Sequence, residues 1–153
     1  MMLKRYFILY ILILSLLAAC SNELSREQSP SQDIEVKHIS SNQGSSQEPS
    51  NQAKDILSKN EDVTAVKAIN NKDRMIIGVK VKHHKRFNLE KMKKKLTKKV
   101  EESFPDYKIE LSTDKKIYLE IEKIEEKLQS NDLKSKELEK EIDRISKLSK
   151  EQT

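Results

Sequence analysis

Cysteine occurs once in the 153 residues, tryptophan not at all, glycine twice and proline three times. One cysteine cannot close an internal disulfide, so apolar packing has to hold the fold. With Gly44 and Gly78 alone, no glycine-rich loop can cradle a phosphate. Aromatic residues, at 5 %, are too sparse to interleave with cations as stacking platforms, which argues against a nucleic-acid surface. Hydrophobic residues at 35 % against charged residues at 36 % describe a small core under much solvated surface. The longest apolar run, Tyr6 to Leu17, holds twelve residues, short of the about 20 that a membrane-crossing helix requires.

Around that run the layout is that of a secretory signal: Lys4 and Arg5 ahead of it, small residues behind, then Cys20. Leu17-Ala18-Ala19-Cys20 resembles the bacterial lipobox. The resemblance implies a signal peptide of residues 1–19, cleavage before Cys20 and diacylation of its thiol. The mature chain would then be lipid-anchored at the extracytoplasmic face of the cell membrane. Two or more acyl chains anchor stably where one is marginal. From Cys20 onward 134 residues remain, and without Lys4 and Arg5 the net charge falls from +5 to +3. That is enough chain for one modest domain with tails.

Residues 20–50 are rich in Ser, Gln, Asn and Glu, include Pro30, Gly44 and Pro49, and keep no period, which predicts a flexible tether. Its random-coil reach is roughly 30 Å. Ile34, Val36 and Ile39 are its one apolar cluster, open to use as a short strand or docking segment but expected to remain tether. Periodic structure begins at Ser50, a hydroxyl N-cap after Pro49, with Ala53, Ile56 and Leu57 on one helical face and an end near Lys59. Val63 to Ile69 is β-prone, Asn70-Asn71-Lys72-Asp73 is turn chemistry, and Met75, Ile77, Val79 and Val81 alternate as a half-buried strand.

Asn88 is placed to cap a second helix striped by Leu89, Met92, Leu96, Val100 and Phe104, with Pro105 preventing its continuation. Tyr107, Ile109 and Leu111 alternate as a third strand, and Ser112-Thr113-Asp114 offers a cap for a helix bearing Ile117, Ile121, Ile124 and Leu128. The order α-β-β-α-β predicts a small two-layer α+β domain over residues 51–128, followed by a charged amphipathic helix over 129–153. Leu138, Ile142 and Ile145 extend a heptad register from Ile117, but Asn131, Ser135 and Ser149 interrupt the seam. The interruption predicts two helices split near Ser130-Asn131-Asp132, with the second trailing and frayed in preference to a coiled-coil dimer.

Charge is polarised. Ten Lys/Arg residues lie between Lys80 and Lys99 against the single acid Glu90, whereas fifteen acids and eleven bases follow from Val100. Lys82, Lys85 and Arg86, with Lys91, Lys93, Lys94, Lys95, Lys98 and Lys99, form the one candidate binding surface, suited to anionic lipid or an anionic wall polymer. A solvated lysine face is the competing reading. His83 and His84 are adjacent and lack a partner at metal-binding spacing. No catalytic constellation, metal site or cofactor motif is present, and no enzyme is expected.

The runs Ala53-Lys54-Asp55-Ile56-Leu57, Asp62-Val63-Thr64-Ala65-Val66 and Ile77-Gly78-Val79-Lys80-Val81 resemble the core of the YhcN/YlaJ sporulation lipoproteins. Ile109-Glu110-Leu111-Ser112-Thr113-Asp114 continues the likeness after the lysine-rich helix. Where those proteins would have proline and glycine in the first turn, this chain has Asn60-Glu61-Asp62, and its last helix is longer and more charged. The resemblance implies a non-enzymatic membrane lipoprotein of Gram-positive spore formers, acting in spore formation, germination or outgrowth. The element order also resembles BON modules, implying attachment to membranes or macromolecules. An alternative is a vegetative envelope lipoprotein whose C-terminal helix docks a protein partner.

Overall fold

The computed structural model describes residues 34–40 and 46–151; the signal, Cys20 and most of the expected tether lie outside the described residues. The order is β1 (Glu35–Val36), α1 (Glu48–Ser58), β2 (Val63–Asn71), β3 (Arg74–Val81), a 3-10 turn (His83–Asn88), α2 (Leu89–Ser103), β4 (Lys108–Ser112), α3 (Lys115–Gln129) and α4 (Ser135–Glu151). The sheet runs β1-β2-β3-β4, with β2 and β3 antiparallel and each outer strand parallel to its neighbour. The class is α+β, and the expected α-β-β-α-β order is present as α1-β2-β3-α2-β4.

Period-two alternation decides the layering. Met75, Ile77 and Val79 of β3 join Ala53 and Leu57 of α1 and Leu96 and Val100 of α2 in one cluster. The alternate residue Ile76 joins a second cluster with Ile117, Ile121, Ile124 and Leu128 of α3 and Leu138, Ile142 and Ile145 of α4. Both sheet faces are therefore covered, one more apolar face than periodicity predicts. Gly78 lets α3 close on the second face: a Cβ there would lie 3.0 Å from the Tyr118 Cα and 3.2 Å from the Ile121 Cδ1.

The ends of these elements follow local chemistry. α1 starts earlier than expected, with Gln47 at the cap position and Pro49 in its first turn, where a missing N–H costs nothing. Ser50 is inside the helix, and its hydroxyl donates to Asn70 Oδ1 at 2.5 Å instead of capping. Asn88 occupies the cap of α2 without a side-chain bond. Asp114 does cap α3, its Oδ1 accepting from the Lys116 and Ile117 N–H groups at 2.7 and 3.1 Å. The split near Ser130 is present. Asn131 takes a left-handed φ of 57°, and the Asp132 N–H reaches the Lys127 carbonyl at 2.9 Å, which is how a Schellman motif ends a helix.

Two expectations are corrected. Residues 34–40 belong to the fold and not to a tether: Glu35 and Val36 pair with Ala65 and Val66, and Ile39 is 2 % exposed in the second cluster. A two-residue strand is too short to show a period. This one is held by side chains, since Asn51 accepts from the Ile39 N–H at 3.0 Å and donates to the Ile39 carbonyl at 2.7 Å. Nor is α4 a trailing helix. Its apolar face is buried, and Lys72–Glu139 at 2.8 Å, Arg74–Asp143 and Arg144–Glu120 at 2.6 Å tie it to the hairpin and to α3.

Beyond β1, side chains continue the hydrogen bonding of the β2 edge. Glu125 Oε1 accepts from the Ala68 N–H at 3.0 Å, and Gln47 both accepts from the Asn70 N–H at 3.1 Å and donates to its carbonyl at 2.8 Å. An edge that would otherwise present unpaired backbone groups is closed.

Candidate functional site

The lysine-rich surface is built where β3 leaves the sheet. The Lys82 N–H donates to the Asp62 carbonyl at 2.9 Å, the Lys85 N–H to the Lys82 carbonyl at 3.0 Å, and the 3-10 turn runs directly into α2. Leu96 and Val100 fix which side of α2 faces inward, because both are fully buried. Lys91, Lys94, Lys95 and Lys98 are then forced outward at i, i+3, i+4 and i+7 spacing, which makes them one exposed row. Among the described residues, Lys98 alone of the four meets an acid, Glu102 at 3.9 Å.

Of the other predicted cations, two are engaged elsewhere and two are half-buried. Lys85 pairs with Asp62 at 3.3 Å, and Lys99 donates to the Ile56 carbonyl at 3.2 Å. Lys93 is half-buried in a cleft shared with Glu90, Thr113 and Asp114. Lys82 is half-buried, and the Arg86 side chain lies outside the described residues. Thus four of the nine form a surface, and the sequence reading missed the most conspicuous residue beside it. Phe87, in the 3-10 turn, is 95 % exposed. The available signal was that Phe87 falls outside the stripe of Leu89, Met92, Leu96 and Val100. His83 and His84 are both exposed in the same turn.

A second polar cluster lies inside, at the closed sheet edge. Lys54 of α1 is fully buried and pairs with Glu125 of α3 at 2.6 Å while donating to the Lys37 carbonyl at 2.8 Å. Lys67 of β2 reaches Glu122 at 3.3 Å, Glu35 at 3.4 Å and Glu125 at 3.7 Å. Burial pushes the Lys54 ammonium below its ordinary range, with Glu125 opposing. Burial also acts downward on Lys67, but the three carboxylates outweigh it and its pKa is raised. One glutamate thus joins a helix on each side of the sheet to the strand between them. The arrangement is satisfied and structural, since Glu125 also holds the Ala68 N–H.

Tyr118 sits above Gly78 with its hydroxyl buried and without a hydrogen-bond partner among the described residues, and Lys80 Nζ lies 4.1 Å from its ring centroid. Burial, together with the charges of Glu35, Glu122 and Glu125, raises the phenol pKa well above its ordinary range. The phenol therefore stays protonated at neutral pH and is no nucleophile. Among the described residues no three His, Cys, Asp or Glu side chains are arranged to hold a metal ion, and no helix is long and apolar enough to cross a membrane.

Fold and surface together define a small α+β domain that presents a row of lysines on one helix. The chain belongs to the sporulation lipoprotein YhcN/YlaJ family, whose model matches residues 22–146. It is thus a sporulation lipoprotein, and lipoproteins associate with membranes through a lipid anchor. No curated protein and no solved structure matches the chain.

Proposed function

We propose that the chain is a membrane-anchored binding module, not an enzyme. It is lipidated at Cys20, held by Lys91, Lys94, Lys95 and Lys98 against anionic headgroups of the spore or cell membrane, and active in spore formation, germination or outgrowth. The observation that carries this reading is the outward row on α2. Lys91, Lys94 and Lys95 have no acidic partner among the described residues, so their charge is available to an external anion. Each cation near an anionic surface contributes about 1 kcal/mol at moderate salt. Docking of a protein partner by the C-terminal helix is not favoured, because Leu138, Ile142 and Ile145 are spent inside the chain.

The test uses the mature chain with Cys20→Ser, which removes the anchor and leaves only the domain's own affinity. It should sediment with phosphatidylglycerol vesicles, not with phosphatidylcholine vesicles, and salt should weaken the binding. Replacing Lys91, Lys94, Lys95 and Lys98 with glutamine should lower the affinity at least about tenfold. Undiminished binding by that variant, or retention on wall polymer without vesicle binding, would overturn the reading.

A further inference from the structure

Phenylalanine in water at 95 % exposure is an unpartnered apolar surface, and among the described residues the only other large exposed apolar side chain is Leu119, at 38 %. Phe87 is also not placed at random. It lies in the His83–Asn88 turn, five residues after Lys82, two after Lys85 and four before Lys91, the first lysine of the exposed row. Of the acids on this side, Asp62 is paired with Lys85, Asp114 caps α3, and Glu90 is the one acid in the chain between Lys80 and Lys99. An exposed apolar ring that runs directly into an exposed row of lysines has the chemistry of an interfacial anchor: the ring enters the boundary between headgroups and acyl chains while the cations stay with the phosphates.

Strand register supplies an independent argument about which way the domain would face. Glu35 pairs with Ala65, and Ala65 pairs with Lys80. The first described strand therefore begins at the end of the sheet where β3 finishes and the turn bearing Phe87 starts. The chain coming from Cys20 joins the fold at that same end. Thirteen residues separate Cys20 from Ile34, a length that spans at most about 50 Å when fully extended. A bilayer holding Cys20 is thus within reach of this end of the sheet.

We propose that Phe87 is a membrane-inserting anchor, so that the domain meets an anionic bilayer turn-first, with the Phe87 ring in the acyl boundary and the α2 lysines on the headgroups. The lipid on Cys20 decides that the domain stays at a membrane; Phe87 decides which side of the domain touches it. This rests on the membrane-binding reading above, and the two can fail separately.

The absence of tryptophan makes the test direct, because Phe87→Trp places a single tryptophan in the chain, which can be excited apart from its tyrosines. In the Cys20→Ser mature chain, its emission should shift to the blue on adding phosphatidylglycerol vesicles and be quenched by brominated acyl chains. Phe87→Ala should weaken vesicle binding about tenfold while leaving thermal stability and salt dependence unchanged, and Phe87→Leu should restore most of the binding. Vesicle binding with unshifted, unquenched emission, or full binding by Phe87→Ala, would overturn the insertion and leave charge-driven binding intact. A wild-type domain that fails to bind these vesicles would overturn both.

Discussion

Glu125 shows how much one side chain can hold. Its two oxygens meet Lys54 at 2.6 Å, Lys67 at 3.7 Å and the Ala68 N–H at 3.0 Å. Removing one partner of a buried ion pair leaves an uncompensated charge, so Glu125→Ala should destabilise by about 3–5 kcal/mol. Lys54→Met in the same chain should recover part of that loss, because the orphaned ammonium goes with it. Urea unfolding of both single variants and the double variant measures the coupling, and simple additivity would refute it. The pH dependence has a definite sign. The folded pKa of Lys54 lies below 10.5, so between that value and 10.5 the unfolded chain holds the extra proton and stability rises with pH. Lys67, shifted upward, loses its contribution only above 10.5. Lys54→Met should flatten the alkaline rise. None of this was legible in the sequence, where Lys54 and Lys67 are two of 30 Lys and Arg residues. A cation's burial depends on a partner 71 or 58 positions away, and no local pattern encodes that.

At the scale of elements, what repeats along the chain was readable and what depends on distant contacts was not. The β2–β3 hairpin, α2 and β4 follow from period-two and period-three-to-four patterns with turn residues between them. β1 escaped because two residues carry no period, and the second sheet face escaped because Ile76 and Gly78 sit at positions that a half-buried strand gives to solvent. α4 was visible as a helix, but its destination was not, since the seam broken at Asn131 and Ser135 fits a trailing helix as well as a docked one. Truncation after Gln129 separates the two. It removes Leu133, Leu138, Ile142 and Ile145, all 6 % exposed or less, and each such side chain contributes about 1.5–3 kcal/mol on burial. Summed, that rivals the whole stability of a small domain. The truncated chain should lose its cooperative urea transition and the slow amide exchange of β2 and β3. A truncated chain that stays folded while a dimer disappears would instead make α4 an intermolecular helix.

For the molecule as a whole, the family assignment and the lipobox-like stretch point the same way, and Cys20 can be tested in sporulating cells. Cys20→Ala should leave the signal uncut or release the chain from the membrane fraction; unchanged processing and retention would refute anchoring through this residue. The class of protein was legible from a few residues in their setting, whereas the surface proposed to meet the membrane was legible only as a charge run, of which folding exposes four lysines in one row and adds Phe87. The closed edge of β2 has a consequence for a protein whose copies share a lipid plane. Confinement to two dimensions raises the frequency with which neighbours collide, and strands with bare edges join. Here Gln47 and Glu125 cover the β2 edge beyond β1, with β1 the outer strand on that side of the sheet and β4 on the other. Past β1, then, a neighbour on the membrane meets the Gln47 and Glu125 side chains where β2 would offer bare backbone, so crowding does not recruit that stretch of β2 into a shared sheet.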